Sequence, residues 1–188
     1  MGTSQQQALK AIELVAAPTA IQPGGYVQKA YQDRVQATTS STFINVKKSG
    51  AGFVIELVWD ASDPVTGLDG NPRRFVDAAA ILVPTTQDAP WITMGAPQNA
   101  IEGFLWKADK QSLYRIYAEG LGSVVRSTLP DGWVYQASHN GKQWVLKVTA
   151  PTWVTLTDQG RVGIAIWQGS LAERAGLKSV SPGWVDVL

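Results

Sequence analysis

Cysteine is absent from this chain of 188 residues. The absence excludes disulfide bonds, zinc sites with cysteine ligands, iron–sulfur clusters held by the chain itself and thiol nucleophiles. It also excludes a covalently attached c-type haem, because that attachment requires a Cys-x-x-Cys-His motif. Any prosthetic group must therefore be held without a bond through cysteine.

Histidine is almost absent as well, since His139 is the single one. One histidine disfavours the usual catalytic metal sites, which use several. A Ser-His-Asp hydrolase would have to use His139, but the chain has no G-x-S-x-G motif to supply the serine. His139 directly precedes Asn140-Gly141, a strong signal for a tight hairpin, so we expect an exposed hairpin residue there.

Charge of either sign is sparse and long apolar runs are missing. Lysine and arginine number 16, aspartate and glutamate number 15, and the net charge is +1. No basic run stands out, so we expect no nucleic-acid partner. The apolar runs are too short to cross a bilayer, and the opening residues MGTSQQQ show no secretory signal.

Short apolar stretches separated by turn residues predict an all-β fold, an antiparallel β-sandwich with short helical turns in the connecting loops. Residues 1–10 are expected to be a flexible N-terminal segment, and residues 11–188 one domain. The expected elements are hairpins over 43–59 and 133–149, strands over 75–83, 112–119, 153–156, 162–167 and 184–188, a strand or extended arm over 26–35, and a helical turn within 171–177.

The most informative segment is DAPWITMGAPQNAIEGFLWKAD, residues 88–109. It contains Met94, the only methionine besides the first residue, flanked by Trp91 and Trp106. Gly95 follows at once, so the chain turns directly after the thioether. A methionine between aromatic rings can fill an irregular gap in a core, but it can also be a metal ligand, and the segment alone leaves both roles open.

Three motifs in fixed order resemble a known family. They are FVIELVWDASDP, then FVDAAAILVP with DAPWITMG and FLWKAD, and finally GIAIWQGSLAERAGLKSVSPGW. Together they resemble the haem b-binding gamma subunit of the ethylbenzene dehydrogenase, dimethylsulfide dehydrogenase, selenate reductase and chlorate reductase group. The resemblance covers roughly residues 43–188.

The resemblance implies an electron-transfer subunit rather than an enzyme, with one non-covalent haem b in a β-sandwich. It implies axial ligation of the haem iron by Met94 and by Lys178, which follows the Glu-Arg-x-Gly element at 173–176. Trp91 and Trp106 are expected to pack near the porphyrin. The implied partners are a molybdenum-cofactor alpha subunit, an iron–sulfur beta subunit and a soluble c-type cytochrome, all in the periplasm.

Several alternatives remain open at the level of sequence. Lys107 and His139 are rivals for the second ligand, and Arg73 and Arg74 could pair with haem propionates. The loop 60–72 carries three aspartates but lacks the EF-hand pattern, so we predict no calcium site there. A Trp-rich β-sandwich with little net charge is also typical of carbohydrate-binding modules, which stack sugars on exposed tryptophans.

Overall fold

The computed structural model describes residues 8–21, 34, 36–110 and 112–188. The strands within these residues form two antiparallel sheets. The first sheet has the order β1-β3-β4-β10-β9. Its members are β1 (Lys10–Glu13), β3 (Ser41–Ser49), β4 (Gly52–Asp60), β9 (Val134–His139) and β10 (Gln143–Ala150).

The second sheet has the order β2-β12-β11-β5-β6-β7-β8, and β13 pairs with β11. Its members are β2 (Val15–Ala16), β5 (Ala78–Pro84), β6 (Ile101–Lys107), β7 (Ser112–Ala118), β8 (Val125–Ser127), β11 (Arg161–Trp167), β12 (Ser179–Val180) and β13 (Val185–Asp186). A helix, α1 (Val154–Gln159), precedes β11 and ends at Gly160, which adopts the left-handed conformation.

The main core lies between the two sheets. Alternate residues point inward from each strand, because successive side chains of a strand face opposite sides. From the first sheet, Ile55, Leu57 and Trp59 enter this core, and from the second sheet Ile81 and Trp106 meet them. The all-β sandwich predicted from the sequence is confirmed.

The centre of the second sheet is covered on both faces. Every residue of β5 is buried, with Ala79, Ile81 and Val83 facing the main core. Ala80 and Leu82 belong to a separate apolar cluster on the outer face of the same sheet. This double coverage explains the continuous apolar run of β5, since a strand buried on both sides has no polar face.

Both predicted hairpins are present, as β3 with β4 and as β9 with β10. The strand expected over 153–156 was wrong, because this segment begins α1 with Leu156 buried under the sandwich. The helical turn expected within 171–177 is also absent. A short 3₁₀ turn lies earlier, at Gly169–Leu171, and is ended by Ala172 in the left-handed conformation.

Two expectations fall partly or wholly on residues that the structure does not describe. Residues 1–7 of the expected N-terminal segment lie outside the described part, whereas Lys10 already belongs to β1. The strand or arm expected over 26–35 lies outside it except for Arg34. No helix among the described residues is long and apolar enough to cross a membrane.

Candidate functional site

A cavity of about 270 Å³ lies on the outer face of the second sheet. Its floor is made by strand residues whose side chains point away from the main core, including Ala80, Leu105 and Ala165. Segment 91–94 and the C-terminal segment 175–178 form its walls. The lining is mainly apolar, as in most small-molecule sites, and the volume is near the lower end of their usual range.

Met94 reaches this cavity from a tight turn. Its backbone has a φ of 57°, and its amide donates to the Trp91 carbonyl at 2.9 Å. Its carbonyl accepts a hydrogen bond from the Gly120 amide at 3.0 Å. Gly95 follows with a φ of 85°, and a Cβ there would lie 2.8 Å from the Ala118 carbonyl oxygen. Glycine is thus required directly after Met94, because only glycine fits that position.

Lys178 enters the cavity from the opposite wall. The loop before it is fixed by Glu173, whose buried carboxylate accepts hydrogen bonds from the Gln168 amide at 2.7 Å and from the Thr38 hydroxyl. Arg174 stacks over the Phe75 ring. After the loop, the Lys178 carbonyl accepts from the Ala17 amide at 3.0 Å. The Glu-Arg-x-Gly element therefore positions the lysine through buried polar contacts.

The Lys178 side chain is unusual for a lysine. The residue is partly exposed, but its amine lies in apolar surroundings, 5.1 Å from the centre of the Trp167 ring. Among the described residues no carboxylate pairs with it. Burial lowers the pKa of Lys178 to about 8, because an apolar environment disfavours the charged form.

The Lys178 Nζ and the Met94 Sδ are 3.9 Å apart. At this distance the amine donates a weak hydrogen bond to the thioether sulfur. A thioether and an amine of lowered pKa therefore face each other in an apolar cavity, and both atoms are donors that metal ions bind.

Trp91 lines the same cavity and is well anchored. Its indole N–H donates to the Ser181 carbonyl at 2.8 Å, and its ring packs 5.2 Å from that of Trp184. A Cβ at Gly163 would come within 2.4 Å of the Trp91 ring. Glycine at that position of β11 therefore lets the indole lie flat against the sheet.

Trp106 does not line the cavity. It follows Leu105 in β6 and so points to the other face, into the main core. There it meets the rings of Trp59 and Trp144 at centroid distances of 5.8 and 4.9 Å. The expectation that Trp106 packs near a ligand in this cavity is not supported by its position.

The two rivals of Lys178 also lie elsewhere. Lys107 pairs with Asp109 at 3.7 Å and does not reach the cavity. The His139 ring nitrogen Nε2 lies 2.7 Å from the Ala61 carbonyl, and Nδ1 accepts from the Gly141 amide at 3.1 Å. Both ring nitrogens of His139 are occupied within its own hairpin and the adjacent loop.

Ion pairs with Arg74 hold two aspartates of the polar loop 60–72. Arg74 contacts Asp63 at 2.6 Å and Asp69 at 3.4 Å, and Asp60 accepts from the Gln143 side chain. Among the described residues no cluster of three or more acidic or histidine side chains could hold a metal ion. Neither Arg74 nor Arg73 lines the cavity.

Several cavity residues were missed from the sequence. Ala80, Ala165 and Gly176 are small, so they leave room above the sheet, but small residues in strands carry no signal of a binding site. Trp167 donates its indole N–H to the Ala175 carbonyl at 2.8 Å and thereby ties the lysine loop to β11. Arg126 lines the cavity from β8, and only the strand register reveals this.

None of the eight tryptophans is fully exposed. Five are buried and three, Trp133, Trp167 and Trp184, are half-buried. A carbohydrate-binding module would present aromatic faces to solvent, so this distribution argues against that alternative.

The fold is a β-sandwich with an apolar cavity on the outer face of one sheet. No family model matches the chain. It is 30% identical over 136 residues to a protein of Haloferax mediterranei named as a respiratory nitrate reductase heme subunit. The matched region covers 68% of this chain and 48% of that protein. It is 30% identical over 149 residues to the chlorate reductase subunit gamma of Ideonella dechloratans, which covers 74% of this chain and 60% of the relative.

The dimethylsulfide dehydrogenase subunit gamma of Rhodovulum sulfidophilum is 25% identical over 191 residues, covering 93% of this chain and 68% of the relative. The chain thus spans between about half and two-thirds of the length of these curated relatives. The resemblance to the gamma-subunit group, predicted from three sequence motifs, is confirmed.

Proposed function

We propose that this chain is a non-catalytic electron-transfer subunit that binds one non-covalent haem b, with Met94 and Lys178 as the axial ligands. The observation that carries the proposal is the 3.9 Å approach of the Lys178 amine to the Met94 sulfur inside an apolar cavity. The relatives named as heme and gamma subunits support the cofactor and the role.

The residues present fit such a group. Cysteine and paired histidines are unavailable in this sequence, so the donors must be other side chains. Lys178 has no counter-charge among the described residues and its pKa is lowered, so it can lose its proton readily, as ligation requires. The small floor residues Ala80 and Ala165 and the flat face of Trp91 leave a slot lined by apolar atoms.

When bound, haem b supplies a one-electron ferric–ferrous couple. The Met94 thioether favours the reduced state and raises the potential, as methionine does in cytochromes c. Lys178 provides a neutral nitrogen donor once its proton has left, and burial assists that loss. The apolar lining limits water near the donors, which helps to keep both on the iron.

The partners follow from the proposed role. We infer that electrons pass between an iron–sulfur subunit of a periplasmic molybdenum oxidoreductase and a soluble cytochrome, with substrate chemistry on another subunit. The relatives are subunits of reductases and a dehydrogenase, which supports assembly into such a complex. The relatives belong to two reductases, which take up electrons, and to a dehydrogenase, which releases them.

The test is reconstitution of the purified chain with haem b, followed by visible spectra in the oxidised and dithionite-reduced states. We expect one haem per chain and a sharp low-spin b-type spectrum in both states. Met94→Ala and Lys178→Ala should each change that spectrum, whereas Lys107→Ala should not.

Two results would contradict the proposal. Absence of stoichiometric haem binding would remove the cofactor altogether. A normal low-spin spectrum in both the Met94 and the Lys178 variants would retain the haem but reject this ligand pair.

A further inference from the structure

The charged residues that the structure places around the cavity are all of one sign. Among the described residues that line it, only Lys178 and Arg126 are charged, and none is a carboxylate. Lys178 has its amine among apolar side chains beside Met94, whereas Arg126 is exposed on the edge strand β8. The cavity therefore offers an apolar interior and one solvated cation at its rim.

The register of the sheet sets the direction in which Arg126 points. Arg126 pairs with Ile116 of β7, and Ile116 is buried in the outer-face cluster and lines the cavity. Directly paired residues of an antiparallel sheet project on the same face. The neighbouring pair, Arg115 with Ser127, must point to the opposite face.

Arg115 illustrates the difference between the two faces. Its guanidinium contacts the Glu102 carboxylate at 2.9 Å, on the side away from the cavity. Among the described residues no carboxylate lies within ion-pair distance of Arg126. Arg115 and Arg126 lie on adjacent strands, but of these two arginines only Arg126 can contact a ligand in the cavity.

We propose that Arg126 anchors a carboxylate on the edge of the bound ligand, and so selects a flat apolar molecule with an acidic rim. This inference rests on the proposed function, under which the carboxylate is a haem propionate. The planar guanidinium can donate two parallel hydrogen bonds to a carboxylate, which fixes direction as well as contributing attraction. Arg126 thus sets which edge of the macrocycle faces solvent at β8.

The experiment compares two ligands in three proteins. Iron protoporphyrin IX and its dimethyl ester, in which both propionates are neutral, are titrated into the apo forms of the unchanged chain, Arg126→Gln and Arg115→Gln. The dissociation constants are read from the Soret band. We expect Arg126→Gln to weaken binding of the diacid by about three- to tenfold, since an exposed charge pair contributes modestly. Binding of the ester should stay the same.

Arg115→Gln is the control for Arg126→Gln, because Arg115 points away from the cavity. Arg115→Gln should leave the preference for the diacid over the ester unchanged, and circular dichroism should show that all three proteins are folded. An unchanged diacid affinity in Arg126→Gln would overturn the inference, as would equal weakening for both ligands. If the unchanged chain bound neither ligand, the proposed function would fail, and the role of Arg126 with it.

Discussion

The Lys178 amine nitrogen lies 3.9 Å from the Met94 sulfur, although 84 residues separate the two in sequence. One side chain comes from a strained turn after Trp91, and the other from a loop held by the buried Glu173 carboxylate. The pair exists only because both segments cover the same face of the second sheet. It follows that each donor can be altered without direct loss of the other.

Replacing Met94 by leucine should keep the packing and remove the sulfur, because the two side chains are similar in volume. We expect haem to bind without the low-spin spectrum and with a lower reduction potential, measured by spectroelectrochemistry. Ile92→Leu is the matched control, since Ile92 lines the cavity and has no donor atom. An unchanged potential in Met94→Leu would argue that the sulfur is not a ligand.

Lys178→Met should stabilise the apo-protein while weakening haem binding. Burial holds the pKa of Lys178 at about 8 in the folded chain, against an ordinary value of 10.5. Below pH 8 the amine is charged in both states, so the folded state carries the full penalty of burying it. Between pH 8 and 10.5 the unfolded chain binds more protons, so the unfolding free energy rises with pH and the penalty fades.

The size of this effect can be bounded. The pKa difference corresponds to an upper limit of about 3 kcal/mol, and partial exposure of the residue reduces it, so we expect a gain of roughly 1–3 kcal/mol at pH 7. Urea unfolding at pH 7 and pH 10 measures it, and the gain should shrink at pH 10. Lys107→Met is the control. A loss of stability in Lys178→Met at pH 7 would show that the amine contributes favourably to the fold.

Haem affinity should rise with pH up to about 8 and then level off. The iron binds the neutral amine, so ligation below the Lys178 pKa must release a proton, and the affinity should increase by up to tenfold per pH unit in that range. Titrations of ferric haem between pH 6 and 9.5 measure this slope. Lys178→Met should lose the dependence, and its persistence in that variant would assign it to another group.

Filling the floor of the cavity should block haem without unfolding the chain. Ala80 faces the cavity, whereas its neighbour Ala79 faces the main core. Ala80→Leu should reduce haem binding by at least tenfold with little change in stability, because the added carbons enter open space. Ala79→Leu overfills a packed core and should be destabilised by about 1–3 kcal/mol. Equal haem affinity in Ala80→Leu and the unchanged chain would place the ligand elsewhere.

The sandwich could be predicted because the local signals agree with the tertiary structure. Asn140-Gly141 and Ser49-Gly50 mark two hairpins, and alternation over Phe53–Trp59 matches the inner face of β4. The strand predicted over 153–156 was wrong because Trp153 and Leu156 are apolar for another reason: they are buried against distant parts of the chain. Burial of a short apolar run does not distinguish a helix from a strand.

The candidate site could be predicted only where a motif carries it. Met94, Lys178 and Trp91 lie in recognisable motifs, and the structure brings all three to one cavity. Trp106 lies in a motif too, but it follows Leu105 in the same strand and therefore points to the other face of the sheet. Which of these two residues faces the cavity is known only once the strand is placed in the sheet. Arg126 has no motif at all, because its place at the cavity arises from pairing with Ile116.

The main core lies between the two sheets. The cavity lies on the outer face of the second sheet, where Ala80 and Ala165 form part of its floor. The core between the sheets therefore contains neither of the two residues proposed as ligands. We therefore expect the chain to fold before it binds the proposed haem, so that folding and cofactor loading are separate steps. The proposed haem would then be exchangeable without unfolding of the sandwich.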